Sequence, residues 1–152
     1  MMMSTRRPTI PPSIHAITLI AEEETLAPLG SSATTHRPIG FASVFLSIEN
    51  PVEAEYHLII KSLRVVDTLT GEVLLYQATP QSITLMPLEN PTLDVHLTNQ
   101  TGYGEAHHVK AIARYQVIDG ASDIAPTVTS VIESEIVTVK KQNKTNPDVE
   151  GS

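Results

Sequence analysis

Apolar and polar residues alternate along short runs of this chain. The clearest run, 39–48, has one aliphatic face and one face with two phenylalanines. The aliphatic face consists of Ala42, Val44, Leu46 and Ile48, and the other face of Phe41, Ser43, Phe45 and Ser47. A period of two is that of a β-strand. Patterns of this kind predict seven or eight strands, at 14–20, 39–48, 56–66, 73–76, 82–85, 92–98, 109–118 and 128–139.

Turn-forming residues separate these runs. The segment from Asp67 to Glu72 is the clearest hairpin signal, because Gly71 can adopt the left-handed conformation of a short turn. Segment 21–38 contains three consecutive glutamates followed by prolines and a glycine, and it predicts a loop with one helical turn. The 11 prolines leave few windows for a helix. The chain is therefore predicted to be all-β.

Three of the predicted strands carry information on burial. Run 56–66 contains Ile59-Ile60 and Val65-Val66, which indicates burial on both faces or a β-bulge. Run 109–118 has an apolar face of Val109, Ala111, Ala113, Tyr115 and Val117. In run 128–139, alternation places Val131, Glu133, Glu135, Val137 and Val139 on one face, and Val128, Ile132 and Ile136 on the other. A two-layer sandwich covers one face of each sheet, so apolar residues on both faces predict contact with a further molecule.

The two ends of the chain contrast with this central region. Residues 1–13 are rich in proline and threonine, and residues 140–152 contain a single apolar residue. Neither end can add much to a hydrophobic core. We therefore predict a flexible N-terminal segment (1–13), a single β-sandwich domain (14–139) and a disordered C-terminal tail (140–152). The start lacks the apolar stretch of a signal peptide and no run suits a membrane helix, so we expect a cytoplasmic protein.

Composition narrows the classes of function. The 152 residues include no cysteine, which excludes disulfides, thiolate metal sites and cysteine nucleophiles. There are 10 basic and 17 acidic residues, and the formal net charge of −7 disfavours binding to nucleic acid. The ends of the chain are basic and the central region is acidic, which is compatible with contacts between copies. We expect no cofactor, no nucleic acid and no membrane partner.

The order of the strand and turn signals also resembles a known architecture. The stretches concerned are Ile48-Glu49-Asn50-Pro51, Leu63-Arg64-Val65-Val66-Asp67 followed by Thr70-Gly71-Glu72, Ser82-Ile83-Thr84-Leu85-Met86-Pro87, and Thr92-Leu93-Asp94-Val95-His96-Leu97. Over about 39–139 the chain resembles the immunoglobulin-like and fibronectin type III-like modules of bacteria. The resemblance implies an antiparallel β-sandwich. It implies no particular activity, because these sandwiches host many unrelated roles.

The chain departs from the antibody domains of that architecture. Their paired cysteines and core tryptophan are absent here. Tyr115 lies in the middle of a predicted strand rather than at its start, so it does not predict a tyrosine corner. The resemblance is therefore one of strand order and turn position, and it names no individual protein.

Histidine is the main candidate for metal binding. The six histidines are His15, His36, His57, His96, His107 and His108. Adjacent side chains of a regular strand point to opposite faces, so His107 and His108 could share a ligand only from the loop after Gly104. We expect surface histidines and no metal. A small-ligand or metal-binding protein that uses His107 and His108 stays open as the alternative.

Signals for catalysis are absent from the sequence. No Gly-x-Ser-x-Gly elbow occurs, and the glycines at 102 and 104 are not followed by the residues of a phosphate-binding loop. The carboxylates of Glu22-Glu23-Glu24 and of Glu133 and Glu135 are expected to be solvated charges. We therefore expect a protein that is not an enzyme.

Two features point to surfaces for binding. His108, Lys110 and Arg114 share a strand face and form either a basic patch or cross-strand ion pairs with Glu133 and Glu135. If the aliphatic face of 39–48 is the core, Phe41 and Phe45 mark an interface; otherwise segment 21–38 buries them. The interface candidates are Phe41, Phe45, Val131, Val137 and Val139. The sequence thus predicts a binding or assembly module, either a homo-oligomer or part of a complex with another protein.

Overall fold

The computed structural model describes residues 10–26, 37–119 and 129–143, of which 68% are in strands. The ten strands are β1 (Ser13–Leu26), β2 (Arg37–Glu49), β3 (Tyr56–Asp67), β4 (Val73–Gln77), β5 (Gln81–Leu85), β6 (Thr92–Asn99), β7 (His108–Asp119), β8 (Ser130–Glu133), β9 (Val137–Thr138) and β10 (Lys140–Asn143). None of the described residues is helical. Within these ranges there is accordingly no helix of the length and apolarity needed to cross a membrane.

The strands form two sheets, which confirms the prediction of an all-β chain. Sheet A has the order β10-β1-β2-β6. Sheet B has the order β4-β3-β7-β8, with β5 also paired to β3 and β9 to β7. Every pairing is antiparallel apart from that of β1 with β10, which is parallel.

The core consists of the aliphatic faces that alternation predicts. On β2 the side chains of Ala42, Val44, Leu46 and Ile48 are buried, so this face of the strand is the core face. On β3 and β7 the core residues are Leu58, Ile60, Leu63, Val65, Val109, Ala111, Ala113 and Tyr115. β-Branched and aliphatic side chains suit such a pleated, buried surface, and they compensate for the lack of tryptophan.

The predicted hairpin between β3 and β4 is confirmed. The N–H of Gly71 donates to the carbonyl of Asp67 at 2.8 Å, and the N–H of Asp67 donates to the carbonyl of Glu72 at 2.9 Å. Gly71 has φ of 81°, a value that other residues adopt only with strain. A bulge between Ile60 and Ser62 changes which residues of β3 point into the core, from Ile60 before it to Leu63 and Val65 after it. Beyond this bulge Val66 is buried on the outer side of the sheet.

Segment 21–38 is not a loop throughout, which corrects the prediction from its glutamates and prolines. Residues 21–26 extend β1 and residues 37–38 begin β2, and the ladder between them continues to the pair Leu26 and Arg37. Backbone pairing along the hairpin outweighs the low strand preference of the three glutamates. Residues 27–36 lie outside the described part of the chain.

The last predicted strand is divided in two. Ser134 interrupts it, because its hydroxyl accepts from the N–H of Ala111 at 2.9 Å and donates to the carbonyl of Glu135 at 2.8 Å. The break reverses which side chains point inward. Val131 is exposed as predicted, but Val139 is buried in the core and Val137 packs partly against it.

Residues 140–143 form β10, although the sequence assigns them to a disordered tail. After Val139 the chain passes from sheet B to sheet A, where Lys140 pairs with Glu22 and Lys141 with Glu23. The Nζ of Lys141 also donates to the carbonyl of Gly104 at 2.8 Å. Edge pairing with β1 supplies backbone hydrogen bonds that need no apolar side chain. The rest of the predicted tail, 144–152, and residues 1–9 lie outside the described residues.

Candidate functional site: the outer faces of the two sheets

The outer face of sheet A presents the two phenylalanines of β2. Phe41 and Phe45 are each half-buried, between neighbouring side chains of β1 and β6. Each lies directly beside a carboxylate on an adjacent strand: Phe41 is paired with Glu22, and Phe45 with Asp94. In the described part of the chain neither carboxylate has an ion-pair partner. The face therefore combines apolar surface with negative charge.

Most other residues of this face are small or β-branched. They include Ala16, Thr18, Ile20, Ser43, Ser47 and Thr98, which alternate with the core residues of their strands. Ile20 is 45% exposed. Short side chains therefore surround the two half-buried phenylalanines on this face.

The outer face of sheet B has a matching arrangement with the opposite charge. Tyr76 on β4 is 56% exposed and is paired with Arg64 on β3. Val131 on β8 is 57% exposed and is paired with Arg114 on β7. Neither guanidinium makes an ion pair with any carboxylate that the structure describes. This face therefore combines apolar surface with positive charge.

The predicted basic patch is partly neutralised. The Nζ of Lys110 forms an ion pair with Glu133 at 2.7 Å, as expected for neighbouring strands. His108 lies at the start of β7, and Arg114 remains exposed. Next to them, the Nε of Arg64 is buried without a hydrogen-bond partner. A buried donor without a partner costs free energy, so Arg64 is a costly residue for the isolated chain to hold in this position.

Two of the predicted interface residues do not belong to an outer face. Val139 has 7% of its surface exposed and belongs to the hydrophobic core, and Val137 packs against the same core. Alternation fails for them because Ser134 breaks the strand. Phe41, Phe45 and Val131 remain as surface residues, on opposite sheets.

The histidines are spread over the surface. His15 lies near Glu49 at 4.0 Å and His57 near Glu55 at 3.9 Å, while His36 lies outside the described residues. His107 and His108 line a cleft of about 350 Å³ with Asp67, Glu105 and Ile136. No group of three His, Asp or Glu side chains in the described ranges could hold a metal ion. This cleft is the site that the small-ligand alternative would use.

A Ser–His contact occurs that the sequence does not signal. The Oγ of Ser43 lies 3.1 Å from the Nδ1 of His96, on the outer face of sheet A. The contact follows from strand register, since these residues are paired across β2 and β6. Within the described residues no carboxylate hydrogen-bonds to His96. Nucleophilic catalysis would need such a carboxylate and two oxyanion donors, so we assign the pair no catalytic role.

The end of the sandwich contains a network of polar side chains that the sequence does not predict. Glu23 is 8% exposed, and its Oε1 accepts from the N–H of Tyr103 at 2.6 Å. The Tyr103 hydroxyl donates to the carbonyl of Phe41 at 2.7 Å. Burial raises the pKa of this hydroxyl well above its usual 10.0, and the charges of Glu23 and Glu22 raise it further. The tyrosine is therefore a neutral donor that ties the β6–β7 loop to sheet A.

Asn99 completes this network. Its Oδ1 accepts from the N–H groups of Gly40, Thr101 and Gly102, and its Nδ2 donates to the carbonyls of Leu74 and Gly102. Gly102 has φ of 71°, and a Cβ there would lie 2.5 Å from the Oε1 of Glu23. Both constraints require glycine. These contacts are internal, so the network is structural and holds β2, β4 and β6 together.

No protein-family model, curated protein or solved structure matches this chain. Function must therefore be argued from the two sheet faces themselves.

Proposed function

We propose that this chain is a non-catalytic assembly module, built as an immunoglobulin-like β-sandwich, that associates with copies of itself. The observation that carries the proposal is the presence of apolar side chains on the outer faces of both sheets. Phe41 and Phe45 lie on one face, and Tyr76 and Val131 on the other. Aromatic residues that remain partly exposed on a protein surface are typical of interfaces between proteins.

Strand order supports the immunoglobulin-like type. Strands β1, β2 and β6 lie side by side in one sheet, and β3, β7 and β8 in the other. In immunoglobulin-like domains the first, second and fifth main strands likewise face the third, sixth and seventh. This correspondence counts β4 and β5 as short edge strands beside β3. Passage of the chain from β9 in sheet B to β10 in sheet A would be a variation on that plan.

The absence of catalysis is supported by what the polar groups of the described residues do. Ser43 and His96 form a cross-strand pair on a sheet face, and Glu23 and Tyr103 serve to hold a loop. The clefts at the end of the sandwich are lined by turn residues such as Asp67, whose carboxylate accepts from the N–H of Leu69. No constellation here combines a nucleophile, a base and oxyanion donors.

The test is the mass of the protein in solution. Static light scattering on the full chain at micromolar concentrations is expected to give a mass above the 16.5 kDa of one chain. Phe45→Asp is expected to return the mass to that of a monomer, since it removes a ring from the contact and places a second carboxylate directly beside Asp94. Leu69→Asp provides the matched control. Leu69 is 89% exposed at the tip of a turn and away from both faces, so its replacement should leave the mass unchanged.

Circular dichroism accompanies each variant, and Val131→Asp gives a second test on the other sheet. Because Val131 is 57% exposed, this change should preserve the fold. A wild-type chain that stays at the monomer mass throughout the concentration range would overturn the proposal. A folded Phe45→Asp variant with the wild-type mass would show that the outer face of sheet A takes no part in the contact.

A further inference from the structure

The charges of the two outer faces indicate how copies would contact one another. On sheet A, carboxylates lie beside the apolar residues: Glu22 beside Phe41 and Asp94 beside Phe45. Further carboxylates are Glu24 and Glu49, against the cations Arg37 and Lys140. On sheet B, guanidinium groups take the same place beside Tyr76 and Val131. The face of sheet A is therefore acidic and apolar, and that of sheet B basic and apolar.

From this complementarity we propose that the face of sheet A in one copy binds the face of sheet B in the next copy. The inference rests on the proposed function and adds which face of one copy contacts which face of the next. Pairing of two sheet A faces would bring Glu22 and Asp94 against another acidic face, and pairing of two sheet B faces would bring Arg64 and Arg114 against another basic face. Juxtaposed like charges cost free energy, whereas opposite charges favour association. Contact between unlike faces is the arrangement in which groups of opposite charge face each other.

The two faces are also matched in extent. At about 4.8 Å between strands and about 3.4 Å per residue, each sheet presents a projected area of roughly 600 Å². Because side chains project from the sheet, the accessible area of each face is larger than its projected area. It approaches the roughly 800 Å² that each partner of a standard interface buries. Both faces are thus large enough to form a specific contact.

A contact between unlike faces leaves one face of each kind open. The faces lie on opposite sides of the sandwich, so each added copy presents a new acceptor surface. Such heterologous contacts form rings when the rotation between copies closes and filaments when it does not. The protein would therefore form assemblies larger than a dimer.

Mixing two variants, each blocked on one face, tests this polarity. The double variant Phe41→Ser with Phe45→Ser removes both rings from sheet A without adding a charge, and the double variant Val131→Asp with Arg114→Glu blocks sheet B. Each alone is expected to be a monomer, because every contact needs both kinds of face. Both blocked faces are acidic and repel each other, so they cannot restore a contact. An equimolar mixture is expected to form a complex of two chains, through the intact sheet A of one variant and the intact sheet B of the other.

The outcomes separate the inference from the proposal on which it rests. A monomeric wild-type chain overturns the proposed assembly itself. A wild-type chain that associates, together with a mixture that stays monomeric, overturns only the contact between unlike faces.

The dependence of association on salt concentration is an independent test. Raising the ionic strength from about 0.05 M to about 0.5 M should raise the dissociation constant about tenfold, because charge pairs are screened. A dissociation constant that does not change with salt contradicts the role assigned to the charges.

Discussion

Asn99 is the residue on which the end of the sandwich depends. Its side chain makes hydrogen bonds to the backbone of Gly40, Leu74, Thr101 and Gly102. Replacement by alanine would leave several partly buried backbone groups without partners. We expect Asn99→Ala to lower the free energy of unfolding by about 3 kcal/mol, measured by urea denaturation in dilute solution.

Asn90 is the matched control for that substitution. It is an exposed asparagine just before β6. Asn90→Ala should change the free energy of unfolding by less than about 0.5 kcal/mol. Equal effects of the two substitutions would contradict the account of the network.

Tyr103 should make the stability of the protein depend on pH in alkaline solution. Its pKa is raised in the folded chain because the hydroxyl is buried and lies near Glu23 and Glu22. Above pH 10.0, the ordinary value, the unfolded chain releases this proton while the folded chain retains it. The unfolded chain then binds fewer protons, so the free energy of unfolding falls as the pH rises. Below that pH the group makes no such contribution.

Urea denaturation of the wild type and of Tyr103→Phe near neutral pH and at about pH 11 measures this effect. The variant loses the hydrogen bond to the carbonyl of Phe41 but also lacks the titrating group, so its stability deficit relative to the wild type should shrink as the pH rises. Tyr76→Phe, which removes an exposed tyrosine hydroxyl, is the control for the loss of the hydroxyl group itself. A difference between Tyr103→Phe and the wild type that is constant over this range would refute the explanation.

The passage of the chain between the sheets is the element that most affects which residues can form an interface. Val139 lies in this passage and is 7% exposed, whereas Val131 on β8 is 57% exposed. Val139→Ala should lower the free energy of unfolding by about 2 kcal/mol through lost burial and the remaining cavity. Val131→Ala, the same change at the surface, should alter it by less than about 0.5 kcal/mol. Thermal or urea unfolding would measure both, and an equal loss would contradict the division between core and surface.

The sequence predicts the strands whose alternation is regular. The apolar face of β7 is predicted from Val109 and Ala111 because burial on a strand follows a period of two, whereas on β2 alternation separates the two faces but leaves open which of them is the core. The break at Ser134 cannot be predicted from the sequence, since it depends on the hydrogen bond between the Ser134 hydroxyl and Ala111 in another strand. The strand at 140–143 cannot be predicted for a similar reason, because this polar strand is held by pairing with β1 rather than by burial.

Prediction of the candidate site is limited by register. Phe41 and Phe45 are found from the sequence, because a strand with two apolar faces is visible in it. Their neighbours Glu22 and Asp94 are not, because cross-strand partners depend on how the strands align. Glu23 is missed because a run of glutamates is typical of solvated charge, while its partner Tyr103 lies 80 residues along the chain.

The whole molecule is a sandwich with two outer faces of opposite charge. Each face joins apolar side chains to charged groups that lack counter-charges among the described residues, such as Asp94 on sheet A and Arg114 on sheet B. Association of copies would cover the apolar surface and supply the counter-charges together. The formal charge of −7 is thus less informative than its distribution between the sheets.

The central claim, that other copies cover the outer faces, is tested most directly by thiol labelling. The chain has no cysteine, so Ser43→Cys introduces a single reporter on the face of sheet A, and Thr79→Cys introduces one in an exposed turn. The rate of maleimide labelling is measured as the protein concentration rises through the micromolar range. We predict that labelling at position 43 slows with concentration while labelling at position 79 does not. Equal, concentration-independent rates at the two positions would contradict the account.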